Sequence, residues 1–87
     1  MLKEIRYERL KGLREDKDLK QIDIANVLNV TQVDYSCYEI GRRQIPTDAL
    51  IKLALFYNVS VDYILGLTDE RKPYPKSILE NAKQKRA

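Results

Sequence analysis

Residues 21–43, with the sequence QIDIANVLNVTQVDYSCYEIGRR, contain two short helical patterns joined by a turn at residues 29–31. Asn29 tolerates the left-handed backbone that commonly ends a helix, and Thr31 is a typical N-cap for the helix that follows. Gly41 ends the second pattern. Two helices at this spacing are the layout of a helix-turn-helix, whose second helix is the element that enters the major groove in DNA-binding proteins.

Length and composition restrict the remaining possibilities. The chain has 87 residues, enough for one small domain, and its 44% hydrophobic and 33% charged residues are typical of a soluble globular protein. No run approaches the roughly 18 apolar residues of a membrane span, and the first residues lack the apolar core of a signal peptide. We therefore expect a cytoplasmic protein with no contact to the membrane.

The residue types that build metal and catalytic sites are scarce. Cys37 is the single cysteine and there is no histidine, which disfavours a disulfide within the chain and a zinc site. Without histidine there is also no Ser-His or Cys-His nucleophile pair, and no glycine-rich phosphate loop occurs. We expect no enzymatic activity, no metal and no cofactor.

Charge is distributed unevenly along the chain. The net charge is +3, yet residues 21–70 carry three basic residues against seven acidic ones, whereas residues 71–87 carry six against one. Nucleic-acid binders usually present a basic surface. The acidic central region argues against DNA binding unless its carboxylates face away from the DNA.

Apolar spacing and capping signals predict five helices and no strands, an all-α fold. The first helix is predicted over residues 3–16, with Gly12 tolerated because another helix approaches it closely. The second spans residues 21–28, and the third follows Thr31, with Asp34 completing a capping box. Thr47 is predicted to cap the fourth helix, and Ser60 a fifth over residues 61–65. Residues 1–67 would form the domain, followed at 68–87 by a proline-containing linker and a basic tail that could include a short helix.

The chain resembles the Cro/phage-repressor (XRE-type) helix-turn-helix family over residues 10–66. The matching stretches occur in the family's order and spacing: LKGLR at 10–14, LKQ at 19–21, IANVLNV at 24–30, TQVDYSCYEIGR at 31–42, PT at 46–47 and NVSVDYIL at 58–65. The resemblance implies a five-helix domain that binds double-stranded DNA, in the nucleoid of a bacterial or phage-infected cell.

It also implies two kinds of DNA contact. The third helix would be the recognition helix, the one that enters the major groove. Phosphate contacts are expected from residues around it: Gln21, Thr31, Arg42, Arg43 and Gln44. Base contacts are expected from the outer face of that helix: Gln32, Val33, Ser36 and Cys37. A glutamine can pair with adenine N6 and N7, and a valine can pack on a thymine methyl.

Three further features carry interpretations of their own. Arg14 and Glu39 match a family pair that bridges the first and third helices and holds the recognition helix in place. Asp34 suits a cap at the third helical position, with acceptance from cytosine N4 as the alternative. Cys37 could be a redox sensor, but no second thiol is present in the sequence to resolve it.

These features predict a sequence-specific transcriptional regulator, most simply a repressor that binds a pseudo-palindromic operator as a homodimer. Residues near the fifth helix are the candidates for the dimer surface: Val61, Tyr63, Ile64 and Leu67. The alternative is an antitoxin-like or other protein-interaction module that binds a partner protein through its basic tail.

Overall fold

The computed structural model describes residues 7–75, in which the chain forms five α-helices and no strand. The helices are α1 (Glu8–Asp16), α2 (Gln21–Leu28), α3 (Gln32–Glu39), α4 (Thr47–Tyr57) and α5 (Val61–Ile64). The predicted all-α fold is confirmed. The basic tail and the short helix predicted in it lie outside the described residues, and the division at residue 67 stays a prediction.

The helices surround a single apolar core. Helices α2 and α3 form the closest pair, α1 packs against α3 and α5, and α4 packs against α2 and α5. The largest fully buried side chains come from all five helices: Leu10, Ile24, Tyr35, Leu53 and Ile64. Because the whole side chain of Tyr35 on α3 is buried in this core, the opposite side of α3 faces solvent.

Asparagines end two of the helices, α2 at Asn29 as predicted and α4 at Asn58. Asn29 and Asn58 take left-handed backbones, with φ of 58° and 56°. In each turn the next amide N–H bonds back to the helix, from Val30 to the Ala25 carbonyl at 2.9 Å and from Val59 to the Ala54 carbonyl at 3.0 Å. These bonds satisfy carbonyls that a helix end otherwise leaves without partners.

Two helix starts differ from the sequence expectation. Helix α1 begins at Glu8, because Tyr7 has a left-handed backbone with φ of 48°, and residues 3–6 of the predicted first helix lie outside the described residues. The Tyr7 hydroxyl accepts a hydrogen bond from the Ile45 amide at 3.0 Å in the core, a long-range contact that local patterns do not reveal. Thr47 does not cap α4: it is the first helical residue, preceded by Pro46, whose ring restricts its φ.

The predicted linker at residues 68–75 contains no helix but lies against the domain. Arg9 donates to the Thr68 carbonyl at 3.2 Å and to the Asp69 carboxylate at 2.6 Å. The Ser60 amide donates to the Arg71 carbonyl at 3.1 Å. Within residues 7–75, no helix is long and apolar enough to cross a membrane.

Gly12 does not face another helix, contrary to our expectation. It is exposed on α1, and a Cβ atom added there would meet no atom within 4 Å. We expect Gly12→Ala to raise the free energy of unfolding by up to about 1 kcal/mol, because alanine favours the helical backbone and fills only solvent. Urea denaturation measures the change.

Gly66 provides the matched control. It also has open space around its Cβ position, but its φ is +77°. Gly66→Ala should therefore lower stability, since an L side chain is strained in that conformation. Destabilisation by both substitutions would contradict the assignment of Gly12 to an open helical surface.

Candidate nucleic-acid interface

A buried ion pair joins α1 to α3. The Arg14 guanidinium donates from Nε to Glu39 Oε2 at 3.0 Å and from Nη2 to Glu39 Oε1 at 2.9 Å. Its Nη1 atom donates to the Leu19 carbonyl at 2.9 Å, and the two side chains are only 12% and 4% exposed. The predicted Arg14–Glu39 contact is therefore present, in the two-pronged geometry that fixes orientation as well as distance.

The pair keeps Glu39 charged although it is buried. Burial by itself raises the pKa of the Glu39 carboxyl, but hydrogen bonding, led by that from Arg14, outweighs burial and holds the pKa below its ordinary value of 4.5. In turn, the hydrogen bond to Glu39 raises the pKa of Arg14.

Burial, followed by the Glu39 charge, raises the pKa of Tyr57 to about 12, so this phenol stays neutral.

Gln21 connects the ion pair to the outer surface. It is the first residue of α2, and its Nε2 atom donates to Glu39 Oε1 at 3.4 Å. The Lys20 amide at the same helix end is bonded to the Asp23 carboxylate at 2.8 Å. Gln21 thus lies at the N-terminus of α2, where the helix dipole favours an anion. Its side chain is positioned by the hydrogen bond to Glu39.

The residues predicted to contact bases lie together. Gln32, Val33, Ser36 and Cys37 line one open depression of about 460 Å³, together with Gln21, Ile40 and Arg42. Val33 and Ile40 are 72% and 60% exposed. Two residues that the family resemblance assigned to phosphates, Gln21 and Arg42, therefore border the same depression as the four candidate base readers.

Ile40 borders the depression although the sequence had not singled it out. It follows α3 directly as the C-cap residue. Its spacing carries a signal, since it stands seven residues after Val33 and four after Ser36, positions that share one helix face. The base contacts that the resemblance implied were placed at residues 32–37 and so did not include Ile40.

At the start of α3, only one of the two hydrogen bonds of the predicted capping box is formed. The Thr31 hydroxyl accepts from the Asp34 amide at 3.1 Å, so the N-cap is confirmed. The Asp34 carboxylate does not return to the Thr31 amide. It accepts instead from Arg43 Nη1 at 2.9 Å, in a pair whose side chains are 35% and 62% exposed. Gln44, the remaining phosphate candidate, is exposed in the loop that follows.

Comparison with known proteins identifies the family. A helix-turn-helix family model matches residues 10–64. The chain belongs to the Cro/phage-repressor helix-turn-helix family of DNA-binding proteins. Members of this family are transcriptional regulators and not enzymes. This confirms the prediction of a transcriptional regulator and the prediction that the chain is not an enzyme.

Three curated relatives from Bacillus subtilis are named as HTH-type transcriptional regulators. YobD, described as uncharacterised, is 40% identical over 77 residues, which cover 88% of this chain and 67% of its own length. ImmR is 38% identical over 72 residues, covering 83% and 57%, and YqaE is 38% identical over 65 residues, covering 74% and 56%. The chain thus spans between about half and two thirds of these regulators.

A solved structure has the same fold. The crystal structure of a transcriptional regulator from Listeria innocua superposes with a TM-score of 0.66 at 26% sequence identity. The match covers 92% of this chain and 68% of that protein. The present chain therefore has the same arrangement of helices as the Listeria innocua regulator.

The candidate dimer residues differ in what they expose. Leu67 is 73% exposed, whereas Ile64 is fully buried in the core of its own chain and offers no surface to a second copy. Val61 is half-buried. Tyr63 is half-buried under the Arg9 guanidinium, which lies 4.2 Å from the ring centroid. Leu67 is thus the candidate with the most available apolar surface.

The Cys37 thiol is half-buried at the depression. Within residues 7–75, no group of three or more histidine, cysteine, aspartate or glutamate side chains is close enough to hold a metal ion.

The contribution of the Arg14–Glu39 pair to the free energy of unfolding should depend on pH. We expect Glu39→Gln to lower the free energy of unfolding at pH 7 by roughly 3–5 kcal/mol, because it leaves the Arg14 charge buried without its partner. The folded-state pKa of Glu39 lies below that of the unfolded chain, so its contribution is complete above about pH 4.5 and is lost as the pH falls through the folded value. The stability gap between the two proteins should therefore narrow in acid, as measured by urea denaturation from pH 7 to pH 3.5.

Asp69→Asn is the control, because Asp69 also pairs with an arginine but its side chain is 99% exposed. That substitution should change stability by less than about 1 kcal/mol. A gap for Glu39→Gln that stays constant with pH, or equal effects of the two substitutions, would refute a stabilising role of the buried pair.

Proposed function

We propose that this regulator is a repressor that binds a pseudo-palindromic operator as a homodimer. The observation that supports the proposal is the outer face of α3, where the four candidate base readers line one depression bordered by Gln21 and Arg42. The base readers would be Gln32, Val33, Ser36 and Cys37. The helix on which they stand is held on its scaffold by the Arg14–Glu39 pair.

Phosphate contacts would surround this face. The N-terminus of α2 at Gln21 would accept a phosphate oxygen, because the first amides of a helix and its dipole favour an anion. Arg42, Arg43 and Gln44 in the exposed loop after α3, and Thr31 before it, would contact the backbone on either side. These contacts would set the register of α3 in the groove without specifying sequence.

Dimerisation follows from the small size of the reading surface. One short helix offers few base contacts, and two-fold symmetry doubles them on an inverted repeat. Leu67, with Val61 and the uncovered part of Tyr63, would form the contact between copies, and Ile64 would support it from within the core. An operator occupied in this way within a promoter would exclude other proteins by steric overlap, which is the simplest route to repression. Such a protein would act in the cytoplasm, at the nucleoid.

Selection of duplexes from a random DNA pool by the full chain tests the proposal. We expect enrichment of an inverted repeat whose half-sites are centred about 34–36 Å apart, one helical turn. Absence of any enrichment at low salt would refute sequence-specific binding, and enrichment of a lone half-site would refute the homodimer.

Two matched substitutions test the dimer surface within that experiment. Leu67→Glu should shift the protein toward monomer in sedimentation and abolish two-site binding, whereas Leu55→Glu on α4 should not. The two leucines are equally exposed, at 73% and 74%. The reverse result would move the dimer surface to α4.

Arg43 should contribute to the affinity for DNA of any sequence. Its pair with Asp34 is exposed, so the guanidinium can exchange the carboxylate for a phosphate at little cost. We expect Arg43→Ala to weaken binding to all sequences, because each protein chain then neutralises one phosphate fewer. The slope of log K against log salt should fall by about 0.9 for each such phosphate, hence by about 2 for a dimer. Fluorescence anisotropy titrations across a salt series measure the slope.

Lys52→Ala is the matched control, since it removes the same charge from an exposed position on α4. Its salt slope should equal that of the unsubstituted protein. An Arg43→Ala slope that is also unchanged would show that Arg43 does not contact phosphate.

A further inference from the structure

The outer face of α3 carries an apolar line that adds Ile40 to two of the candidate base readers, Val33 and Cys37. Val33, Cys37 and Ile40 stand at positions i, i+4 and i+7, which follow one another along the same side of a helix. Val33 is 72% exposed and Ile40 is 60% exposed, with the half-buried Cys37 between them. All three border the same depression. We call these three residues the apolar stripe.

Polar residues flank the apolar stripe on α3, and none of them is basic. Gln32 and Ser36 lie along one flank, and Asp34, paired with Arg43, lies along the other. The sequence of α3, QVDYSCYE, contains no lysine or arginine. The contact that most often selects guanine, a two-pronged arginine or lysine on O6 and N7, therefore cannot come from this helix.

We propose that the apolar stripe recognises the C5-methyl groups of pyrimidines in the major groove, so that the bases facing it are thymines. This inference rests on the proposed function, in which the outer face of α3 enters the groove. Thymine is the base that presents a methyl group at that edge in unmodified DNA. A 5-methylcytosine carries the same group and is the second possible source of this contact.

The dimensions and the neighbouring side chains agree with this assignment. Seven residues of helix advance about 10 Å, which spans roughly three base-pair steps. Isolated exposed apolar residues are common on protein surfaces, but three in one helical line opposite the buried Tyr35 and Tyr38 form a continuous surface. Gln32 on the adjacent flank can pair with adenine, so both the stripe and its flank favour A·T pairs over G·C pairs.

Replacing thymine by deoxyuridine in the selected operator tests the inference, because it removes the methyl group and leaves base pairing unchanged. We expect affinity to fall about two- to fourfold for each thymine facing the stripe that is replaced, as for burial of one methyl group. Val33→Ala should bring the thymine-to-uridine affinity ratio toward one. Leu55→Ala, which shortens an equally exposed apolar residue on α4, should leave the ratio unchanged.

A second arm replaces the thymines facing the stripe by cytosine and by 5-methylcytosine, each paired with guanine, and compares the two affinities. Tighter binding of the methylated base supports a methyl-contacting stripe and adds methylated cytosine to its ligands, whereas a thymine-restricted gain limits the contact to A·T pairs. Equal affinities for thymine and uridine, or selected half-sites with G·C pairs facing α3, would overturn the inference. Either of those results would still include specific DNA binding, so it differs from failure of the proposed function, in which no duplex is enriched.

Discussion

The buried Arg14–Glu39 ion pair is the constraint on which the DNA-facing surface depends. Glu39 lies on the core side of α3, so its two hydrogen bonds to Arg14 fix how α3 is rotated about its own axis relative to α1. Arg14 also bonds the Leu19 carbonyl, and Gln21 bonds Glu39, which ties the start of α2 to the same centre. A helix of eight residues has little rigidity of its own, and a fixed rotation determines which side chains face outward. Breaking a pair this well buried is costly because the remaining charge has no comparable partner.

Each of the three carboxylates on α2 and α3 has a partner, which accounts for part of the acidic charge of the central region. Glu39 is buried against Arg14, and in the free protein Asp34 pairs with Arg43, a pair that Arg43 would leave on contacting a phosphate. Asp23 faces the Lys20 amide at the start of α2, where the helix dipole favours a negative charge. The outer face of α3 is consequently amide, hydroxyl and apolar in character and not acidic. Sequence selection by such a face would rely on hydrogen bonds from Gln32 and Ser36 and on methyl contacts, while phosphate attraction would come from the loop at residues 42–44.

Local signals in the sequence were sufficient for most of the fold. The left-handed turns at Asn29 and Asn58 and the cap at Ser60 each depend on residues within a few positions, and such signals are visible in a sequence. Tyr7 could not be assigned in this way, because its conformation accompanies a hydrogen bond to Ile45, 38 residues away. The contacts of residues 68–75 with Arg9 depend equally on tertiary packing. At the candidate site, the family resemblance located Arg14, Glu39 and the outer face of α3, but it did not indicate Ile40, whose exposure becomes visible only in the folded chain.

Contact between the outer face of α3 and DNA is the premise on which the proposed function depends. Amide chemical shifts of the ¹⁵N-labelled protein, recorded during titration with a duplex chosen from the selected pool, test it most directly. We expect the largest changes at residues 32–40, at Gln21 and at residues 42–44, with Ile51 and Leu55 on the exposed side of α4 unchanged. Changes concentrated on α4 or on residues 68–75, with residues 32–40 unaffected, would contradict it.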